Sequence, residues 1–192
     1  TGVGATATVG HGLGSIVELL IVKGLETTND WSVLSKDNTN GNFLQLNNNA
    51  AQSGSGSIFG SRPTDSVFTI GNTGETGTSN KDYIAYCFTS IPAYSRIGSY
   101  VGTGVSGNAQ YLGFEPSFLM TKRSNSSGDW HIWDDKRSTS NPRNNVLRPN
   151  TSGIETATSY QNVSFTTTGF ELIATDSSIN GSGSTYIFLA IA

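Results

Sequence analysis

Short apolar runs separated by Gly-, Asn-, Ser- and Thr-rich polar stretches set the rhythm of this chain. The longest run, Ile16-Val17-Glu18-Leu19-Leu20-Ile21-Val22, is interrupted by Glu18. It is too short for an ordinary helix, and the turn residues His11-Gly12-Leu13-Gly14 precede it, so it reads as a buried strand. Ala5, Ala7 and Val9 alternate with Thr6 and Thr8, which predicts a strand with one apolar face. Further strands are expected at 31–34, 43–46, 67–70 and 82–89, with a short one begun by Ile58 and Phe59. The polar stretches 36–42, 47–57 and 71–81 read as loops, and neither half of the chain carries a convincing helix. The closing runs, Tyr83–Phe88 and Tyr186–Leu189, are apolar on both faces. That pattern predicts central strands between two layers.

The pattern also occurs twice. Gly113-Phe114-Glu115-Pro116 opens a turn, Ser117–Arg123 follows as a strand, and Asp129-Trp130-His131-Ile132-Trp133-Asp134 follows a polar loop. Gly14, Lys23 and Asp30-Trp31 stand at the same places as Gly113, Lys122 and Asp129-Trp130, at numbers lower by 99. Leu147–Asn150 matches Leu44–Asn47, Gly169–Leu172 matches Val67–Ile70, Asn180 matches Asn80, and Tyr186–Leu189 matches Tyr83–Tyr86. Thr103-Gly104-Val105 matches Thr1-Gly2-Val3. The matches fall in order. They predict an all-β chain: a jelly-roll or lectin-like β-sandwich built from two duplicated halves, 1–95 and 96–192, in a pseudo-twofold relation and packed as one compact unit.

Composition narrows the classes. Charged residues are 13% of the 192, about half the usual share, while aromatics at 10% exceed what disordered chains carry. The 23 glycines argue against long helices. The net charge of −3, with no basic run, argues against a nucleic-acid partner. No apolar run approaches the ~20 residues of a membrane span. The single cysteine, Cys87, excludes an intrachain disulfide and reads as a small buried hydrophobe. The abrupt Gly/Thr start and the stop after the last strand suggest a segment of a longer or processed polypeptide.

Candidate chemistry concentrates in 129–137. A Trp beside carboxylates is a common sugar-binding arrangement, because the ring stacks on C–H faces and the acids accept hydroxyl bonds. Trp133, His131, Asp134, Asp135 and Arg137 are therefore the candidate binding residues. The opposing reading is packing: Trp130 matches Trp31, Trp133 matches Leu34, and the ion cluster can be a solvated loop of little energetic weight. Asp129, Asp134 and Asp135 fit no known calcium-loop spacing, so no metal is expected. Lys23 and Lys122 read as strand-end charges. Glu115, Glu155 and Glu171 are scattered, no Gly-x-Ser-x-Gly occurs, and no catalytic set or cofactor is expected.

Several motifs occur in order. Gly-Phe-Glu-Pro precedes an apolar strand ending in Lys122-Arg123, and Asp129–Asp134 and Leu147-Arg148-Pro149-Asn150 follow. A Gly-Phe-Glu-Leu strand and an Asn-Gly-Ser-Gly loop precede Tyr186-Ile187-Phe188-Leu189. Asp82–Phe88 and Tyr94–Gly104 stand at the centre. Together they resemble a duplicated β-rich domain of marine bacteriophages, including phages of cyanobacteria, found in tail fibres and other virion proteins. The resemblance implies a non-enzymatic virion structural protein: a tail-fibre or surface-appendage module for assembly and host attachment. It would be located in the particle, with identical subunits (often three about a fibre axis), other virion proteins and a host-surface glycan as partners. The alternatives are a secreted lectin-like carbohydrate-binding module and a glycan depolymerase.

Overall fold

A computed structural model describes residues 1–54 and 56–192. The chain divides into two compact units, Thr1–Thr89 and Ser90–Ala192. It is an all-β sandwich protein of antiparallel sheets, with two single-turn helices among the described residues.

In the first unit the strands are β1 (Ala7–Gly10), β2 (Leu19–Gly24), β3 (Ser32–Ser35), β4 (Asn42–Gln45), β5 (Ser53–Gly54), β6 (Val67–Ile70) and β7 (Tyr83–Phe88), with α1 (Gly56–Phe59) between β5 and β6. One sheet has the order β5-β4-β3-β2-β7 and faces the pair β1-β6. Leu20, Val22, Leu34 and Phe43 from the larger sheet meet Phe68 and Ile70 from β6. Each such side chain, once buried, contributes about 1.5–3 kcal/mol.

Ile58 and Phe59 depart from the expected short strand. They lie in α1, where successive positions 4% and 6% exposed both reach this core. A strand would have sent one of the two outward.

The second unit holds β8 (Ser95–Val101), β9 (Asn108–Tyr111), β10 (Phe118–Arg123), β11 (Trp130–Asp134), β12 (Asn145–Val146), β13 (Thr156–Ala157), β14 (Val163–Thr166), β15 (Gly169–Leu172) and β16 (Thr185–Ile191). The one-turn helix α2 (Ser177–Asn180) lies between β15 and β16. The sheet β11-β10-β16-β8 faces β14-β15-β9. Leu119, Trp133, Tyr186 and Phe188 from one layer pack on Val163, Phe165, Phe170 and Leu172 from the other. The division at 89/90 leaves β8 whole, whereas the expected boundary at 95/96 would cut its first residue away.

The units share their pairing. β2 is flanked by β3 and β7 as β10 is flanked by β11 and β16, and β1-β6 pairs as β9-β15 does. Single hydrogen bonds recur too. The Tyr83 hydroxyl donates to Gly74 O at 3.0 Å and accepts from Thr78 N at 3.0 Å. The Tyr186 hydroxyl donates to Ser177 O at 2.6 Å and accepts from Gly181 N at 2.8 Å. These bonds align Tyr83 with Tyr186, and so place Asn80 (φ 59°) against Gly183 (φ 70°), both in the left-handed region. The expected match of Asn80 with Asn180 is thereby corrected. The Asn180 carbonyl accepts from Gly104 N at 2.7 Å, the role of Gly77 O, which accepts from Gly4 N at 3.0 Å.

One expectation holds in the second unit and fails in the first. β16 is central, between β10 and β8, but β7 is the edge of its sheet. An apolar run marks a strand that can be covered; it does not supply the neighbour that covers it.

Candidate functional site

Residues 129–137 run along β11 and the turn that ends it. The entrance is a clamp. Asn150 donates from Nδ2 to Asp129 Oδ1 at 2.8 Å, and its Oδ1 accepts the Trp130 amide at 2.9 Å. The first unit repeats this: Asn47 donates to Asp30 Oδ1 at 2.7 Å and accepts the Trp31 amide at 2.9 Å. One side-chain amide thus satisfies a carboxylate and a strand-end N–H that no ladder reaches. The Asp-Trp dipeptides point to this corner. The two asparagines were missed, although each ends a matched segment, Leu44–Asn47 and Leu147–Asn150.

Alternation along β11 puts His131 and Trp133 on one face, as expected, but that face is interior. Trp133 is 0% exposed, its Nε1 donates to Gln161 O at 2.8 Å, and its ring stacks on His131 at 5.6 Å. The candidate sugar platform is therefore a core residue, because β14-β15-β9 covers the side of the sheet from which it projects. His131 is equally buried. Burial pushes its pKa down to about 4, Arg148 adds to the shift, and Asp129 and Asp176 oppose it. The imidazole is neutral at pH 7, with Nε2 3.5 Å from Ser178 Oγ. Ser178 also donates to Asp176, which accepts the Ser178 amide at 2.8 Å as the cap of α2. The carboxylate bonds the serine and not the imidazole, so the trio is a helix cap backed by a buried ring and lacks the relay order of a nucleophilic triad.

The remaining candidates form a rim. Arg137 binds Asp134 at 2.5 Å and Glu155 at 2.9 Å, and also donates to Ile132 O at 3.1 Å. Burial pushes Asp134 up, but hydrogen bonds from the Arg137 amide and guanidinium outweigh it and hold the carboxyl below the usual aspartate value. Asp135 pairs with the largely exposed Lys136 at 3.2 Å and accepts from Ser117 Oγ at 3.3 Å. Asp134, Asp135 and Arg137 thus sit together as expected. The guanidinium is committed to closing the turn, and Glu155 joins them from β13's approach.

Asp129 lies apart, 3.7 Å from Arg148. Among the described residues no three His, Cys, Asp or Glu side chains are grouped to hold a metal ion. Lys23 and Lys122 both turn back on the loop that follows their strand. Lys23 Nζ donates to Gly24 O at 2.9 Å and Thr27 O at 2.8 Å, and Lys122 Nζ to Arg123 O at 2.6 Å. Lys122 is fully buried; burial lowers its pKa to about 8, with Asp129 opposing and Arg123 adding.

One aromatic pair is accessible. Trp31 is half-buried and stacks at 6.4 Å on Tyr86, which is 42% exposed. The sequence aligns Trp31 with the core residue Trp130, and nothing in its sequence context separates the two. Cys87, expected to be buried, is half-buried, and burial raises its pKa. No helix among the described residues is long and apolar enough to cross a membrane.

No curated protein and no solved structure matches the chain. A family model matches all of it, residues 1–192, and the chain belongs to that family, described as Domain of unknown function (DUF7483).

Proposed function

We propose that this chain is a non-enzymatic structural module of a bacteriophage particle, a part of a tail fibre or surface appendage that assembles with identical subunits and other virion proteins and contacts the host surface. One observation carries this reading. In the richest stretch, four of the five candidate side chains are spent on the architecture: His131 and Trp133 are core, and Asp134 and Arg137 close a turn. The fold-bearing bonds recur in both units, which suits a repeated building block. A depolymerase needs two carboxylates free to act across a cleft. Asp134 and Glu155, which the fold brings together, instead share one guanidinium. Loops on such a sandwich, such as 71–81 and 124–128, are where contact variation is tolerated.

The test is gold-labelled antibody against this chain on particles purified by density gradient. Label on fibres or appendages is expected. Particles without the polypeptide, with the protein recovered free in the culture medium, would overturn the reading.

The lectin-like alternative rests on the accessible Trp31–Tyr86 pair, since an aromatic face is what a sugar ring stacks on. Glycan-array binding abolished by Trp31→Ala would favour it.

A further inference from the structure

Two Asn-Gly dipeptides occur in the chain, Asn40-Gly41 and Asn180-Gly181. Such a pair carries its own reagent. The glycine amide nitrogen can attack the carbonyl carbon of the asparagine side chain, because glycine has no Cβ to crowd the five-membered ring that forms. Asparagine is accordingly among the thermolabile residues. Whether a given pair reacts depends on whether the fold leaves its two reacting groups free, and here the fold treats the two pairs oppositely. Asn180 is locked and 0% exposed. Its Nδ2 donates to Val105 O at 2.8 Å and Ala174 O at 3.0 Å, and its Oδ1 accepts the Thr103 amide at 3.0 Å and Asn108 Nδ2 at 2.9 Å. The attacking atom is held as well, since Gly181 N donates to the Tyr186 hydroxyl at 2.8 Å. Cyclisation would have to break these bonds and leave their buried partners unsatisfied.

Asn40 is open. It is exposed, in the connection between β3 and β4, where Asn42 N donates to Thr39 O at 2.9 Å and Asn40 and Gly41 are the two central residues of the turn. Gly41 has φ 80°, the left-handed conformation that glycine supplies at the third position of such a turn. A Cβ added at Gly41 would meet no atom within 4 Å, so the space beside the attacking nitrogen is empty. Among the described residues the Asn40 side chain has no hydrogen-bond partner. Asn40 and Arg62 line one small cleft. The Arg62 guanidinium is held there by Ser35 O at 2.6 Å and by Asn38 O, both neutral acceptors.

We propose that Asn40 is a self-modification site, at which the exposed turn converts its own asparagine into aspartate and isoaspartate while the fold protects Asn180. The Gly41 amide nitrogen loses its proton to solvent base and attacks Asn40 Cγ. The new N–C bond closes a succinimide, the Cγ–Nδ2 bond breaks, and the side-chain nitrogen leaves as ammonia after taking up a proton. Water then adds to one of the two ring carbonyls. Opening at one carbonyl gives aspartate, and opening at the other gives isoaspartate. The reaction takes up one water, releases one ammonia and involves no change of oxidation state. A neutral turn thereby gains a carboxylate in the cleft that Arg62 lines, and isoaspartate adds one carbon to the backbone between β3 and β4. The reaction runs once per chain, so the charge of a population of chains records its age. This inference goes beyond the virion reading and stands without it, because both reacting groups belong to the chain.

The test incubates the full chain in warm, mildly alkaline buffer and follows its peptides by mass spectrometry. The peptide holding residue 40 should gain one mass unit, and enzymatic methylation of isoaspartate should label that peptide. The peptide holding Asn180 should convert more slowly by roughly tenfold or more, because its bonds must first open locally. In concentrated urea the two should convert at similar rates, which separates the effect of the fold from that of the dipeptide. Asn40→Gln, a change in an exposed turn, should keep the fold and abolish the early mass gain and the methylation. Equal conversion of the two sites in the folded chain would overturn the proposal. So would a folded chain whose residue 40 stays intact while the urea-treated chain converts, or early methylation that persists in the Asn40→Gln variant.

Discussion

Acid should loosen the second unit, and His131 is the reason. Its imidazole is packed between Trp133 and the α2 cap with its pKa held near 4, against 6.5 for an unperturbed histidine. The sign follows from proton binding. Between pH 6.5 and 4 the unfolded chain takes up a proton that the folded chain refuses. Stability is therefore full above pH 6.5 and falls as pH drops through that window. A gap of that width corresponds to roughly 3 kcal/mol in total, of which roughly 1.3 kcal/mol is lost between pH 7.5 and pH 5.5.

The assay is urea unfolding in a Trp31→Phe, His11→Asn background. Fluorescence then comes from Trp130 and Trp133 alone, both in the second unit, and only one histidine remains. His131→Phe keeps an aromatic ring beside Trp133 without a titrating group and should remove the slope between those two pH values. A flat profile in the background protein would refute the argument, as would an unchanged slope in the His131→Phe variant.

Tyr83→Phe and Tyr186→Phe each remove one hydroxyl that bridges two backbone groups, and each should cost about 1–3 kcal/mol in its own unit by urea unfolding. Trp133→Ala should cost about 3–5 kcal/mol, whereas Asp135→Ala, whose partner Lys136 is largely exposed, should stay within about 0.5 kcal/mol by the same measurement. Lys122 has a folded pKa of about 8, below its ordinary 10.5, so the wild type should gain stability as pH rises between those values. Lys122→Met should abolish that gain and leave the thermal midpoint at pH 7 unchanged or raised, because a buried charge is exchanged for an apolar chain of similar length.

Much of the architecture was legible because it is local. Alternation and run length marked β2, β3, β6, β7, β10, β11 and β16, since a strand half-buried in a sheet must repeat every two residues and a fully buried one must be short and apolar. The recurring Asp-Trp motif located corresponding strands in the two halves. Ile58-Phe59 was misread because two adjacent apolar residues carry no period; only the surrounding core decides that both point inward from a helical turn.

The candidate site was located in sequence and decided by the fold. Alternation put His131 and Trp133 on one face, but it cannot say which face is covered. That depends on the sheet β14-β15-β9, whose strands come from both earlier and later in the chain than β11 and close over Trp133. The Asp134–Arg137 turn is visible as nearby charges, but the second carboxylate on its guanidinium, Glu155, arrives from elsewhere in the chain. The open edge of β7 is the clearest case. Tyr83–Phe88 and Tyr186–Ile191 read alike as apolar strands, and the difference between an edge and a centre lies in the neighbour, a long-range pairing that no property of the strand itself encodes.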